Sequence, residues 1–366
     1  MPPKRILMTS DTVGGVWTYS LALASRLAGN SIDVYLATMG PRPSQIQKRQ
    51  LKRLSNVHLH ESDYRLEWME DPWDDVNRAG NWLLGLEKQF KPDIIHLNGY
   101  VHGVLPWAAP TCMVAHSCVL SWWEAVRGES APAEWARYRT AVTAGIRDAN
   151  YLVAPTRAML EALGRYYPLP ARSVIYNGAS PNLYSPGQKR PVIFAAGRLW
   201  DAAKNLEMVI KSASKLPWQV VIAGDGASKF VERENLLLLG QISPQEVADY
   251  MAIASIYCFP ARYEPFGLSI LEAALSGCAL VLGDIPSLRE LWNNAAVFVD
   301  PGDQSALLRS LSQLIENSNT RIKLARSALD RAKRFSLQRM TNAYLKVYEQ
   351  LHQLSRKRIE YSRTGL

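Results

Sequence analysis

The 366 residues are 48% hydrophobic and 20% charged, without repeats or low-complexity tracts; this excludes a disordered or fibrous chain and suits two packed cores. No apolar run reaches the about 18–20 residues that cross a bilayer, so a cytoplasmic protein is expected. The net charge of +9 is concentrated at one end: residues 321–366 hold 12 basic and 3 acidic side chains, whereas the first 320 residues balance 30 of each.

In chain order, a strand pattern at Ile6-Leu7-Met8-Thr9 runs into Asp11-Thr12-Val13-Gly14-Gly15 and then an apolar helix through Leu27. Glycine there lets backbone approach a ligand. Further strand patterns centre near Val34, Val57, Ile94, Cys112 and Leu152, alternating with helical spacing. A polar break follows, Asn177-Gly178-Ala179-Ser180-Pro181 through Ser185-Pro186-Gly187-Gln188, dense in turn formers. Strand patterns resume near Val192, Val220, Leu237, Tyr257, Leu280 and Val297, and a long helical pattern runs from Leu337 to Leu354. Such alternation implies parallel sheets covered by helices. The expected fold class is α/β, with one Rossmann-like domain over residues 1–180, a second over 181–340, and a helix with a basic tail over 341–366.

Three motifs carry chemistry. Pro265 to Leu268, after the strand-like run Ile256 to Pro260, mark a helix entry whose first amides lack internal partners and attract phosphate. Carboxylates flank it at Glu264 and Glu272, eight residues apart; as two helical turns, about 12 Å of rise, they would reach opposite ends of an extended ligand. Ionised carboxylates accept hydrogen bonds from vicinal hydroxyls. Upstream, Val192 to Ala196 is a buried-strand pattern ending in Gly197-Arg198-Leu199, with Lys204-Asn205 at the head of the next helix. Cations at the carboxyl edge of a parallel strand suit a diphosphate, although a surface arginine and lysine are also compatible with simple solvation. The dinucleotide G-x-G-x-x-G spacing is absent, and Gly224-Asp225-Gly226 does not complete it, with Lys229 at the third position. No D-x-D dyad occurs; Asp71-Pro72-Trp73-Asp74-Asp75 spaces its acids differently and reads as a helix start. Cys112, Cys118, Cys258 and Cys278 form neither a C-x-x-C pair nor a metal-ligand spacing, and no metal is expected.

Together with Val114-Ala115-His116-Ser117 and Phe298-Val299-Asp300-Pro301-Gly302-Asp303, these motifs resemble glycosyltransferase family 4, the retaining nucleotide-sugar enzymes of the GT-B fold. The E-x7-E spacing from Glu264 to Glu272 and the pairing of Arg198 with Lys204 are the most specific points. The resemblance implies two Rossmann-like domains with parallel sheets facing a central cleft, the last helix crossing back onto the first domain, and a metal-free transfer of a hexose-type sugar. The donor would be a nucleotide sugar, UDP- or GDP-linked, and no cofactor is implied. Catalytic positions would be His116, Glu264, Arg198 and Lys204. The donor would lie against Gly14, Gly15, Arg198, Lys204, Glu264, Phe266, Gly267, Leu268 and Glu272, with Gly15 offering its amide, His116 near the reacting carbon, Glu264 on sugar hydroxyls and Glu272 on the ribose. Two departures stand out. Four residues separate Leu199 from Lys204 where many members have three, and Ile285-Pro286-Ser287-Leu288-Arg289 replaces a frequent glycine pair, leaving Glu290 unassigned.

Eight of the 11 tryptophans precede residue 136. Indole faces stack on sugar rings, although tryptophan is mostly buried for its area. Trp73, Trp122 and Trp123, in polar segments read as loops, are the candidates for a glycan, lipid-linked or small hydroxylated acceptor. The basic segment 321–366 reads as a solvated helix face or as a weak contact to anionic lipid at the inner membrane surface. No basic stretch interleaves with an aromatic platform, so nucleic acid is not expected. Two other readings remain open, a GT-B nucleotide-sugar 2-epimerase and a non-catalytic nucleotide-sugar-binding or membrane-surface protein.

Overall fold

The computed structural model describes residues 2–180, 183–229, 231 and 234–364, with side chains in the last helix as far as Arg356. The chain divides into two α/β units. One comprises the residues up to 121, 130–176 and those from Leu337 onward; the other comprises 122–129 and 177–336.

Seven strands build the first sheet: β1 (Arg5–Asp11), β2 (Asp33–Met39), β3 (Val57–Glu61), β4 (Ile94–Leu97), β5 (Thr111–Val114), β6 (Tyr151–Ala154) and β7 (Arg172–Val174). They run parallel in the order β3-β2-β1-β4-β5-β6-β7. Ile6, Leu7 and Met8 of β1 are completely buried, as a strand covered by helices on both faces requires. The connecting helices are α1 (Gly15–Leu27), α2 (Gln45–Leu51), α3 (Trp73–Phe90), α4 (Val119–Arg127), α5 (Ala136–Asp148) and α6 (Arg157–Gly164). Strand order reverses between β1 and β4. At such a switch the crossovers leave in opposite directions, and the carboxyl ends of the two strands border a crevice.

The second unit repeats this logic with β8 (Arg190–Ala196), β9 (Gln219–Ala223), β10 (Leu236–Gly240), β11 (Ala254–Phe259), β12 (Ala279–Gly283) and β13 (Val297–Val299). Its parallel order is β10-β9-β8-β11-β12-β13, with the switch between β8 and β11. Around it stand α7 (Leu206–Ala213), α8 (Pro244–Ile253), α9 (Leu268–Leu275), α10 (Pro286–Trp292), α11 (Gln304–Glu316) and α12 (Ser318–Ala332). Every residue of β11 is buried, and Phe194, Tyr257, Leu271 and Trp292 reach zero exposure in the core. The final helix, α13 (Leu337–Thr364), belongs to the first unit, where it packs on α1, β4 and β5 through the fully buried Tyr344 and Tyr348.

Each strand expected from the pattern is present, and the chain has the two parallel-sheet, Rossmann-like units anticipated. Only β7 was not anticipated, because three residues after Pro168 and Pro170 carry too little alternation to register. The loop reading of the tryptophans is corrected. Trp73 is the first residue of α3, and Trp122 and Trp123 lie within α4. The acids after Pro72 do open a helix: Asp74 and Asp75 occupy the first turn of α3, where the helix dipole favours negative charge. All four cysteines are buried and no disulfide joins them.

One close approach anchors the loop that leaves β4. Helix α5 lies on the turn Val101–Val104 so tightly that a Cβ on Gly145 would overlap the carbonyl oxygen of Tyr100. Both atoms are backbone, so relief requires moving a helix. Gly145→Ala should therefore lower stability by about 1–3 kcal/mol, the range for overpacking. Gly85→Ala, facing open space on the exposed side of α3, should instead be neutral or stabilising by roughly 0.5–1 kcal/mol. Equal denaturant-unfolding curves for the two variants would contradict this account.

Candidate functional site

In the second unit the site grows from the carboxyl ends of the two switch strands. As β8 ends, Gly197 N–H donates to Ala223 O at 3.0 Å and Leu199 N–H to Asp225 O at 2.8 Å, pinning the turn that carries Arg198 to the end of β9. Gly224 crosses this turn where a Cβ would overlap the Gly197 carbonyl, which explains a glycine there. The Arg198 guanidinium donates to Asp201 Oδ2 at 2.7 Å and lies over the Trp200 ring at 5.1 Å. Its Nε is buried and has no hydrogen-bond partner, an unspent donor on a permanent cation. Burial opposes the charge on Asp201, but Lys204 and Arg198 hold the carboxyl below its usual range.

A short non-helical turn leads from Arg198 to Lys204. Asp201 accepts from Ala203 N–H at 3.0 Å, and Asn205 stands in the left-handed region at the start of α7, with φ 54°. The Asn205 amide donates to Pro260 O and Pro301 O, both at 2.9 Å, and Arg262 N–H donates to Ala203 O at 2.8 Å. These bonds draw the segment after β8 onto the segment after β11. In consequence Lys204 Nζ meets Glu264 Oε2 at 2.8 Å, with side-chain exposures of only 16% and 14%.

The other glutamate stands differently from the simple helical spacing. Helix α9 starts at Leu268, four residues after Glu264, so only the part from Leu268 to Glu272 is helical and the two-turn separation is corrected. Glu264 is instead fixed by its own contacts, its carboxylate accepting from Phe266 N–H at 3.4 Å and its carbonyl from Ser287 Oγ at 2.6 Å. That last bond gives the unusual Ile285 to Arg289 segment a positioning part in the site. Gly267 has φ 84°, and no side chain caps α9. The first amides of this helix are thus available to an anion. Phe266 turns its ring into the core against Phe335, so at this position only backbone is offered. Burial raises Glu272 to about 7 even though the Tyr184 hydroxyl donates to it. The buried Tyr257 hydroxyl bonds Ser269 and donates to Ala196 O at 3.3 Å, and burial, with a smaller push from Glu272 and Glu264, raises it above its ordinary range.

In the first unit, Gly14 is the N-cap of α1 with no side-chain cap, and the first turn of this helix lacks acids. Val13 N–H donates to Asp11 Oδ1 at 3.0 Å, which shapes the turn. His116 lies just beyond β5, half-buried, and its Nε2 is 2.7 Å from Asn98 Oδ1. Of the acceptor candidates, Trp73 in this unit is covered by Arg137 at 4.7 Å, whereas Trp122 and Trp123, which fall in the second unit, meet edge to face at 5.8 Å with Arg127 over both rings. Asp201, Tyr184, Tyr257 and Asn98 had no motif to mark them. Asp201 pairs with Arg198 three residues away in a non-helical turn, a spacing that periodicity does not mark. Among the described residues no group of three His, Cys, Asp or Glu side chains is close enough to hold a metal ion.

Two family profiles match in succession, Glycosyltransferase Family 4 over residues 13–183 and Glycosyl transferases group 1 over residues 183–331. The D-inositol 3-phosphate glycosyltransferase of Corynebacterium glutamicum (strain R) is 25% identical over 90% of this chain and 89% of its own length. O-antigen chain mannosyltransferase B of Escherichia coli is 30% identical over 37% of this chain and 34% of its own. Among solved structures, sucrose-phosphate synthase from Thermosynechococcus elongatus superposes with a TM-score of 0.80 at 16% identity, covering 95% of this chain and 99% of that one. Anabaena HepE in complex with UDP and glucose gives 0.75 at 18% identity, covering 94% and 99%. With successive profiles accounting for both halves and the GT-B fold shared throughout, the chain belongs to glycosyltransferase family 4 and is a glycosyltransferase enzyme.

Proposed function

We propose that the second unit binds a UDP- or GDP-linked sugar and that the enzyme transfers its hexose, with retention and without a metal ion, to a hydroxyl of an inositol-type, glycan or lipid-linked acceptor. The observation that carries this reading is the pairing of Lys204 with Glu264 beside Arg198 and the uncapped start of α9. When the bond between the anomeric carbon and phosphate oxygen breaks, the electron pair leaves with the diphosphate while positive charge grows on the sugar ring. Arg198, Lys204 and the α9 amides are preorganised donors for the first charge. Glu264 is suited to sugar hydroxyls and Glu272 to ribose hydroxyls. The names of the relatives support this donor class and acceptor class: a D-inositol 3-phosphate glycosyltransferase in one case, a protein solved with UDP-glucose in another. Trp73, Trp122 and Trp123 are proposed as acceptor contacts, and Gly14, Gly15 and His116 as the first unit's share of the donor site. A weak contact of the basic helices with anionic lipid is supported by exposed Lys323 and Arg326 on α12. Arg321, which donates to Leu314 O and Ile315 O, and Lys333, paired with Asp330, are spent internally, and Lys357, Arg358 and Arg363 lie outside the described side chains.

Calorimetric titration with UDP and GDP in EDTA tests the donor site. Arg198→Ala should weaken the preferred nucleotide by about 1.5–3 kcal/mol, the worth of hydrogen bonds to charged groups. Unchanged affinity would remove Arg198 from the diphosphate site.

Glu272 supplies a pH signature. Its carboxyl is raised to about 7, so it is largely protonated at pH 6 and ionised at pH 8, and only the ionised form accepts from both ribose hydroxyls. Nucleotide affinity should therefore rise about tenfold from pH 6 to pH 8 through this group, a factor of ten being one pKa unit. Glu272→Gln should show only the smaller rise due to the nucleotide's own phosphate. Parallel pH profiles for the two proteins would exclude a ribose role for Glu272.

A further inference from the structure

The carboxyl edge of the first sheet contains a polar network of which the donor-site reading uses only His116. Asn98 follows β4 at the switch point, and its N–H donates to Thr9 Oγ1 at 2.9 Å, tying it to β1. Its side-chain amide donates to Thr9 O at 2.7 Å and to Ser20 Oγ at 3.2 Å. A backbone carbonyl can only accept, so the amide nitrogen must face Thr9 and Oδ1 must face the other way. Two imidazoles meet that oxygen, His116 Nε2 at 2.7 Å and His96 Nε2 at 3.2 Å. An amide oxygen has no proton to give, so each of these nitrogens carries one. On the far side of His96, Nδ1 is 2.6 Å from the Tyr348 hydroxyl of α13, which therefore donates. Tyr19 closes the cluster, its hydroxyl 3.3 Å from His96 Nε2 and its ring meeting His116 edge-on at 4.6 Å.

We infer that Asn98 is a positioning residue that holds His116 as a neutral imidazole protonated on Nε2, leaving Nδ1 as an unspent acceptor for a substrate hydroxyl at the carboxyl edge of the first sheet. This rests on the proposed substrate role of His116. A histidine kept only for packing would satisfy both nitrogens, as His96 does; His116 spends one, and it sits at the ligand edge of its sheet. Neutrality follows from the surroundings. The titratable groups facing the pair are His96 from β4 and Tyr19 from α1, with Tyr344 and Tyr348 of α13 behind His96. Burial, reinforced by His96, lowers His116 to about 3, and burial lowers His96 to about 4 although its bond to Asn98 favours the charged form. Across the physiological range His116 thus offers a lone pair and no acidic proton.

The test is histidine-selective 15N NMR of the full chain without ligand, with the His116 signals identified by their loss in His116→Gln. The expected wild-type pattern is a neutral imidazole with the proton on Nε2, unchanged down to about pH 4.5, more than one unit above the value burial imposes. Asn98→Asp places a carboxylate where the amide oxygen was, and His116 should then titrate above its ordinary value of about 6.5. A wild-type proton on Nδ1, or ordinary titration near 6.5, would overturn the inference, as would an Asn98→Asp protein in which His116 stays neutral near pH 6. The wild-type measurement stands alone should Asn98→Asp fail to fold. Because no nucleotide is present, failure here is distinct from failure of the nucleotide titrations.

Discussion

Lys204 and Glu264 stand 2.8 Å apart with about one-seventh of each side chain exposed, and such a pair is stable only if the backbone around it is held firmly enough to offset the loss of water. Around this constraint the second unit is organised. Asn205 ties the turn after β8 to the ends of β11 and β13, Asp201 compensates the neighbouring cations, and Ser287 grips the Glu264 carbonyl. The lysine is partly desolvated, so its field is less screened than that of a surface lysine. Arg198 is held in the same manner by Asp201 and Trp200, with one buried donor still unspent.

The first unit solves a different problem with different chemistry. At the carboxyl edge of its sheet stands a network in which one asparagine meets two histidines, with a tyrosine from the final helix as the outermost donor. Neutral networks are insensitive to salt and hold orientation through directionality. The placement of α13 in this unit matters for the same reason. Tyr344 and Tyr348 bury the back of His96, and that burial helps keep the imidazole uncharged.

Close backbone contacts hold both edges in place. Gly145 lets α5 press on the turn after β4, and Gly224 lets the β9 turn cross the one after β8. Neither glycine provides a functional group. Each permits a separation between main chains that any side chain would forbid, and each lies next to a segment that bears one, Asn98 or Arg198. Packing precision and site geometry are therefore the same property in this protein.

Periodicity and turn chemistry alone determined the class of fold and every strand but one, because buried parallel strands write their constraints into adjacent residues. β7 escaped, being three residues long. The positions of Trp122 and Trp123 were misjudged as loop because local polarity resembles a turn, whereas α4 forms over them. The distance between Glu264 and Glu272 was likewise beyond local reasoning, since whether the intervening residues coil depends on where α9 begins, and that is set by Gly267 and by the contact of Ser287 with Glu264. What only the tertiary structure decided is which polar groups meet. Asn205 with Pro260 and Pro301, Glu272 with Tyr184, and Asn98 with His116 are joined between segments separated in sequence. Hydrogen bonds between such residues leave no periodic trace in the chain, because their partners are selected by sheet order and not by spacing.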